Sequence, residues 1–112
     1  MRRDAKTKRI AELNDLARTA MGIACRAVAT RGFFTLTAEQ QSRAREAVER
    51  FDAFTKDNDP YGEHDFGRFE IDEHVLYWKI DYFDKQCEFG SEDASDASQT
   101  TRVLTIMLAE EY

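Results

Sequence analysis

"FGRFEIDEHVLYWKIDYFD", residues 66–84, alternates apolar and polar side chains on both sides of an acidic pair. Alternate residues of a β-strand share a face. A hairpin turning at Asp72 and Glu73 therefore sets Phe69 opposite Leu76 and Ile71 opposite His74. One face then holds Phe69, Ile71, Leu76, Trp78, Ile80 and Tyr82, and the other holds Arg68, Glu70, Tyr77, Lys79 and Asp81. Asp-Glu is not a favoured two-residue hairpin loop, so a longer connection fits the same pattern. Tyr77 and Phe83 on the polar side exceed what a solvated face requires. A covering helix is expected there, with a partner or dimer surface as the alternative.

Working outward, residues 4–20 read as a helix, with Ile10, Leu13, Leu16, Ala17 and Met21 at three- and four-residue spacing and Gly22 as its stop. "IACRAVATRG", residues 23–32, suits a strand of about five or six residues. Thr37 with Gln40 forms a capping-box pattern. Behind it, Ala44, Ala47, Val48, Phe51 and Phe54 line one helical face, while Arg43, Arg45, Glu46, Glu49 and Arg50 fall mainly on the other. In "TTRVLTIMLAEEY", residues 100–112, the apolar residues cover most of a helical circumference. Asp96 and Ser98 offer N-caps before it, so a third, buried helix is predicted. The expected fold is α+β: a small antiparallel sheet (strand plus hairpin) packed with about three helices, in the order helix-strand-helix-hairpin-helix. Residues 1–112 form one domain, and residues 1–9 read as a basic, frayed arm.

Composition narrows the function. Eight Phe, four Tyr and one Trp suit a globular chain. No apolar run approaches the roughly 18 residues of a membrane span, and no signal core follows the basic start, so a cytoplasmic protein is expected. Cys25 and Cys87 lie far apart and match no metal spacing; Cys25 reads as a small core residue and Cys87 as an exposed one, without a disulfide between them. Residues 1–50 carry eleven Lys and Arg against six Asp and Glu, whereas residues 51–112 carry five against sixteen. Phosphate backbones repel such an acidic majority, which disfavours direct nucleic-acid binding.

The negative charge is densest in "DNDPYGEHDFG", residues 57–67. Asp57, Asp59, Tyr61, Gly62 and Asp65 stand at EF-hand positions one, three, five, six and nine, but position twelve is Arg68 where a bidentate glutamate belongs. Glu63, His64 and Asp65 are suitable acid–base groups, yet neighbouring residues point in different directions and no catalytic template is complete. Turn chemistry explains most of the motif: Asn and Asp bond to nearby backbone, Pro60 fixes the turn, and Gly62 and Gly67 allow positive φ or close approach. Neither a cofactor nor a metal is expected.

These motifs carry a resemblance. "ATRGF" (Ala29 to Phe33), "FTKDNDPYGEHDFGRFE" (Phe54 to Glu70), "WKIDYFD" (Trp78 to Asp84) and "TRVLTIMLAEEY" (Thr101 to Tyr112) make the chain similar to a small bacterial family catalogued as domain of unknown function 3768. The resemblance implies a short intracellular protein of plasmids and mobile regions in alphaproteobacteria, and it transfers no catalytic residue. Similar proteins often have glycine where Asp72-Glu73 stands here.

The leading functional expectation is a non-enzymatic, acidic binding protein that occludes a basic, nucleic-acid-binding protein partner, in the manner of an anti-CRISPR or antirestriction inhibitor. Asp57, Asp59, Tyr61, Glu63, His64, Asp65, Asp81 and Asp84 are the expected partner-binding residues. The alternatives are a small enzyme or metal-binding protein using His64 with nearby carboxylates, and a nucleic-acid-binding or toxin-like module working through the basic first helix. Homodimerisation stays open. The C-terminal Glu110 and Glu111 are expected to be neutralised by Lys or Arg of the N-terminal half.

Overall fold

In a computed structural model the structure describes residues 2–112, with side chains from Ala5 onward. Helix α1 spans Arg2–Thr19 and α2 spans Ala38–Glu49; strands are β1 Arg26–Ala29, β2 Phe66–Ile71, β3 His74–Phe83 and β4 Thr101–Leu108. The fold is α+β, as expected. Of the expected basic arm, Met1 and the side chains of residues 2–4 lie outside the described residues; the backbone from Arg2 already belongs to α1.

The hairpin forms in the expected register, with Phe69 paired to Leu76 and Ile71 to His74. Its turn is the tight Asp72-Glu73 turn, and Asp72 adopts φ +55°. That left-handed conformation costs an L-residue energy, and helix α2 holds it in place. Asp72 Oδ2 accepts from Gln40 Nε2 at 3.0 Å, and its two oxygens accept from Arg43 at 3.2 Å each. Gln40 is also the N3 residue of the Thr37 capping box, so one side chain starts α2 and fixes the hairpin turn.

The third predicted helix is instead the strand β4, bordered by single 3-10 turns at Ala97–Gln99 and Ala109–Glu111. Arg102, Leu104, Ile106 and Leu108 point to the helix side and are buried, while Val103, Thr105 and Met107 alternate with them. A central strand covered to different degrees on two faces presents the same all-round apolar pattern as a buried helix. Asp96 does act as a cap, accepting from Ser98 N at 2.9 Å, but of a 3-10 turn only.

Because β4 is a strand, the sheet has four strands in the order β1-β4-β3-β2. It is mixed rather than antiparallel: β1 runs parallel to β4, and the other pairs are antiparallel. Both α-helices pack on one face, around Leu76, Trp78, Ile80, Leu104 and Ile106 with Ala17, Ala44 and Val48. No α-helix covers Tyr77, Lys79, Asp81 and Phe83 among the described residues. Tyr77 packs there against Phe66 and Tyr112, with ring centroids 5.0 and 5.4 Å apart.

Two smaller expectations resolve within this frame. Cys25 and Cys87 are both free and half-buried, and the Cys25 thiol contacts Ala17 O at 3.4 Å. Among the described residues Glu111 meets no arginine or lysine; it accepts from Thr30 Oγ1 at 2.5 Å, Gly32 N at 2.8 Å and Leu108 N at 2.9 Å. The Thr30 bond and these backbone N–H groups hold its carboxyl below the usual glutamate range.

Candidate functional site

The segment between α2 and β2 is tied together by its own polar side chains. Asn58 Oδ1 accepts from Thr55 N at 2.8 Å and Asn58 Nδ2 donates to Ala53 O at 2.8 Å. Asp59 turns inward and accepts from the backbone N–H groups of Glu63 (3.1 Å) and His64 (3.2 Å). Gly62 and His64 take φ of +69° and +57°. Asp59 is thus a buried anchor of the loop rather than a surface charge.

His64 accepts the strained backbone because its ring is held on three sides. Phe54 stacks on it with centroids 3.9 Å apart and planes 1° from parallel. Its Nδ1 donates to Asp15 Oδ1 at 2.9 Å, since a carboxylate only accepts, and Nε2 faces Asp59 Oδ2 at 3.7 Å. Asp15 in turn accepts from Arg18 Nη2 at 2.6 Å. Arg18 is buried and also donates to Val48 O at 3.1 Å and Phe51 O at 2.7 Å. These carbonyls close the C-terminal end of α2, where a cation complements both the orphan acceptors and the dipole. The Arg18 guanidinium lies about 5 Å from the centroids of Phe54 and Trp78, a cation–π arrangement.

A second network runs beside the first. Arg102, buried in β4, donates Nε to Asn14 Oδ1 at 2.7 Å and Nη2 to Ala94 O at 2.5 Å. Asn14 is fully buried and donates to Glu63 O at 2.9 Å and Tyr82 Oη at 2.8 Å. The Tyr82 hydroxyl then donates to Glu63 Oε1 at 3.1 Å. Burial lowers the Arg102 pKa and raises that of Tyr82.

The acids around this wall are unevenly compensated. Among the described residues, neither Glu63 nor Asp65 has a lysine, arginine or histidine nitrogen within 4.0 Å. Desolvation, and then the charges of Glu63, Asp59 and Asp81, push the Asp65 carboxyl above the usual aspartate range. Asp81 pairs with Lys79 at 3.0 Å.

The structure therefore brings Asp59, Glu63, His64 and Asp65 together, with Asp81 near enough to act on Asp65. Asp57 and Tyr61 are exposed on the same loop, Tyr61 by 75 %. Asp84 belongs to a separate turn, where it accepts from Glu88 N at 3.1 Å. No group of three or more His, Cys, Asp or Glu among the described residues is arranged to hold a metal ion. Sequence reasoning missed Asn14, Arg18, Tyr82 and Arg102 as members of this site. The one signal for the first two is that both are polar, four residues apart, on the flank of the apolar stripe of α1.

Comparison with curated proteins finds no match, and comparison with solved structures finds none either. The expected family is found. Its model, described as "Protein of unknown function (DUF3768)", matches residues 29–111, which takes in the last residue of β1, all of α2, the 57–67 loop, the whole hairpin and β4. The chain belongs to this family.

Proposed function

We propose that the protein works by binding rather than by catalysis, presenting carboxylates at the loop end of its sheet to a basic protein partner. Asp57, Glu63 and Asp65 are the charged contacts, Tyr61 is the exposed aromatic anchor, and Asp81 and Asp84 extend the acidic border. Asp59 and His64 act behind them, as the internal frame that sets the loop's shape. The observation that carries this reading is the Glu63–Asp65 pair, which has no cationic partner among the described residues and whose mutual repulsion an incoming arginine or lysine would relieve. A partner that uses the same cations to grip nucleic acid would be occluded. In the mobile-element setting implied by the family resemblance, such a protein would serve as a counter-defence inhibitor.

The catalytic alternative gains little support from the geometry. A general base needs a free ring nitrogen aimed at its substrate. Both nitrogens of His64 face carboxylates, and Phe54 covers one face of the ring.

The test is a titration with a fluorescent oligo-arginine peptide, paired with affinity capture of basic host proteins. Wild type is compared with Asp57→Lys combined with Asp65→Asn; Asp59 is left intact because it holds the loop. Binding that weakens steeply with salt and falls about tenfold or more in the double variant supports the reading. Binding indifferent to both removes it.

A further inference from the structure

The sheet has two edges, β1 and β2, and they differ in chemistry. On β2 the exposed Arg68 and Glu70 pair with each other at 3.1 Å, a charged edge of the kind that discourages further strand pairing. The β1 edge has no such internal compensation. Arg26 and Arg31 stand exposed at its start and just past its end, and Arg45 approaches it from α2. Among the described residues none of these three has a carboxylate within 4.0 Å.

Beside the edge lies an apolar groove. A cavity of about 490 Å³ is lined by Met21, Ala27, Val28, Phe33, Phe34 and Ile106, among others, with Arg45 at its side. Phe34 is 64 % exposed and Val28 47 %, although both are large and apolar. The backbone is also available. Thr30 N donates to Ile106 O at 3.1 Å. In the alternation of a parallel ladder, Val28 and Arg26 also turn to β4, so Ala27 and Ala29 direct their N–H and C=O groups outward.

We propose that β1 and this groove bind an extended segment of a partner protein as a fifth strand, with apolar side chains in the groove and Asp or Glu against Arg26, Arg31 and Arg45. Backbone pairing supplies affinity in this mode, and pockets for alternate side chains supply specificity. The charge selects the occupant. A second copy docking antiparallel through its own β1 would line up arginines along one seam, and like charges there oppose pairing. An acidic segment removes that conflict. The surface is separate from the acidic loop end, and the inference does not rest on the function proposed above.

The experiment selects binders from a random library of short peptides against the full chain. Affinity for the selected peptides is then measured by fluorescence anisotropy, and backbone amides are followed by hydrogen exchange. The expected peptides combine apolar residues with Asp or Glu, and they slow exchange at Ala27 and Ala29. Arg45→Glu and Ala29→Pro each weaken them about tenfold or more, since proline at 29 removes an outward N–H while sparing the ladder to β4. If Ala29→Pro does not fold, Arg45→Glu and the exchange pattern decide. Peptides without acidic bias, or affinity unchanged in Arg45→Glu, would overturn the inference. So would occupation of the groove by a single-stranded oligonucleotide, or concentration-dependent dimerisation that protects the same two amides.

Discussion

Arg102 donates its Nε–H to Asn14 Oδ1 at 2.7 Å, across 88 positions of chain, with both residues buried. A neutral amide receives the guanidinium here. Among the described residues no carboxylate lies within 4.0 Å of Arg102. Asn14 passes the polarity on to Glu63 and Tyr82, so the contact joins α1, the 57–67 loop and two central strands. Removing it strands a buried charge. Asn14→Ala is expected to destabilise the protein by about 2–4 kcal/mol in urea unfolding. Arg102→Met should cost less, because it leaves neutral acceptors, Asn14 Oδ1 and Ala94 O, without a donor rather than a buried charge without a partner.

The crowded Asp65 predicts a pH effect. Its folded-state pKa lies above the ordinary aspartate value, so the native state binds the proton more readily than the unfolded chain does. Ionised Asp65 therefore lowers stability above its folded pKa, and the penalty fades as pH falls towards 3.8. Asp65→Asn should melt higher than wild type at pH 7, and the two curves should converge below that value. A constant difference in Tm across the range would contradict the cause assigned here.

Asp72 behaves in the opposite sense. Arg43, followed by Gln40, holds its carboxyl below the usual range. The stabilisation is present above the unfolded aspartate pKa and is lost as pH drops through the depressed folded value. Asp72 also sits at positive φ, which glycine adopts freely and alanine does not. Asp72→Ala should lower Tm more than Asp72→Gly, and acid should shrink both differences from wild type.

Gly67 is required by packing rather than by φ. A Cβ there would press into the Trp78 indole edge and come 2.7 Å from Phe51 Cζ. Gly67→Ala should cost about 1–3 kcal/mol, with altered Trp78 fluorescence. An unchanged denaturation midpoint would show that the indole can move aside.

The hairpin and its register, the capped start of α2 and the broad α+β class are legible in the residues alone. Each depends on interactions a few positions apart, or on an alternation that one buried face enforces. The Asp57–Gly67 motif was also readable as turn chemistry, and Asp59, Gly62 and His64 play that part. β4 was misread because its apolar residues cover both faces, and the sequence does not state that β1 and β3 lie on either side of it. Asp59 turns inward because Glu63 N and His64 N lie there as donors, a relation that the order of residues alone does not display.

The amino-acid order by itself determined the hairpin, the two α-helices and the separation of basic and acidic halves. Only the tertiary structure decided which polar groups go inside. Buried polar side chains are selected by partners that desolvation makes obligatory. Here those partners are remote in the chain: Asp15 for His64 at 49 positions, Tyr82 for Asn14 at 68, and Asn14 for Arg102 at 88.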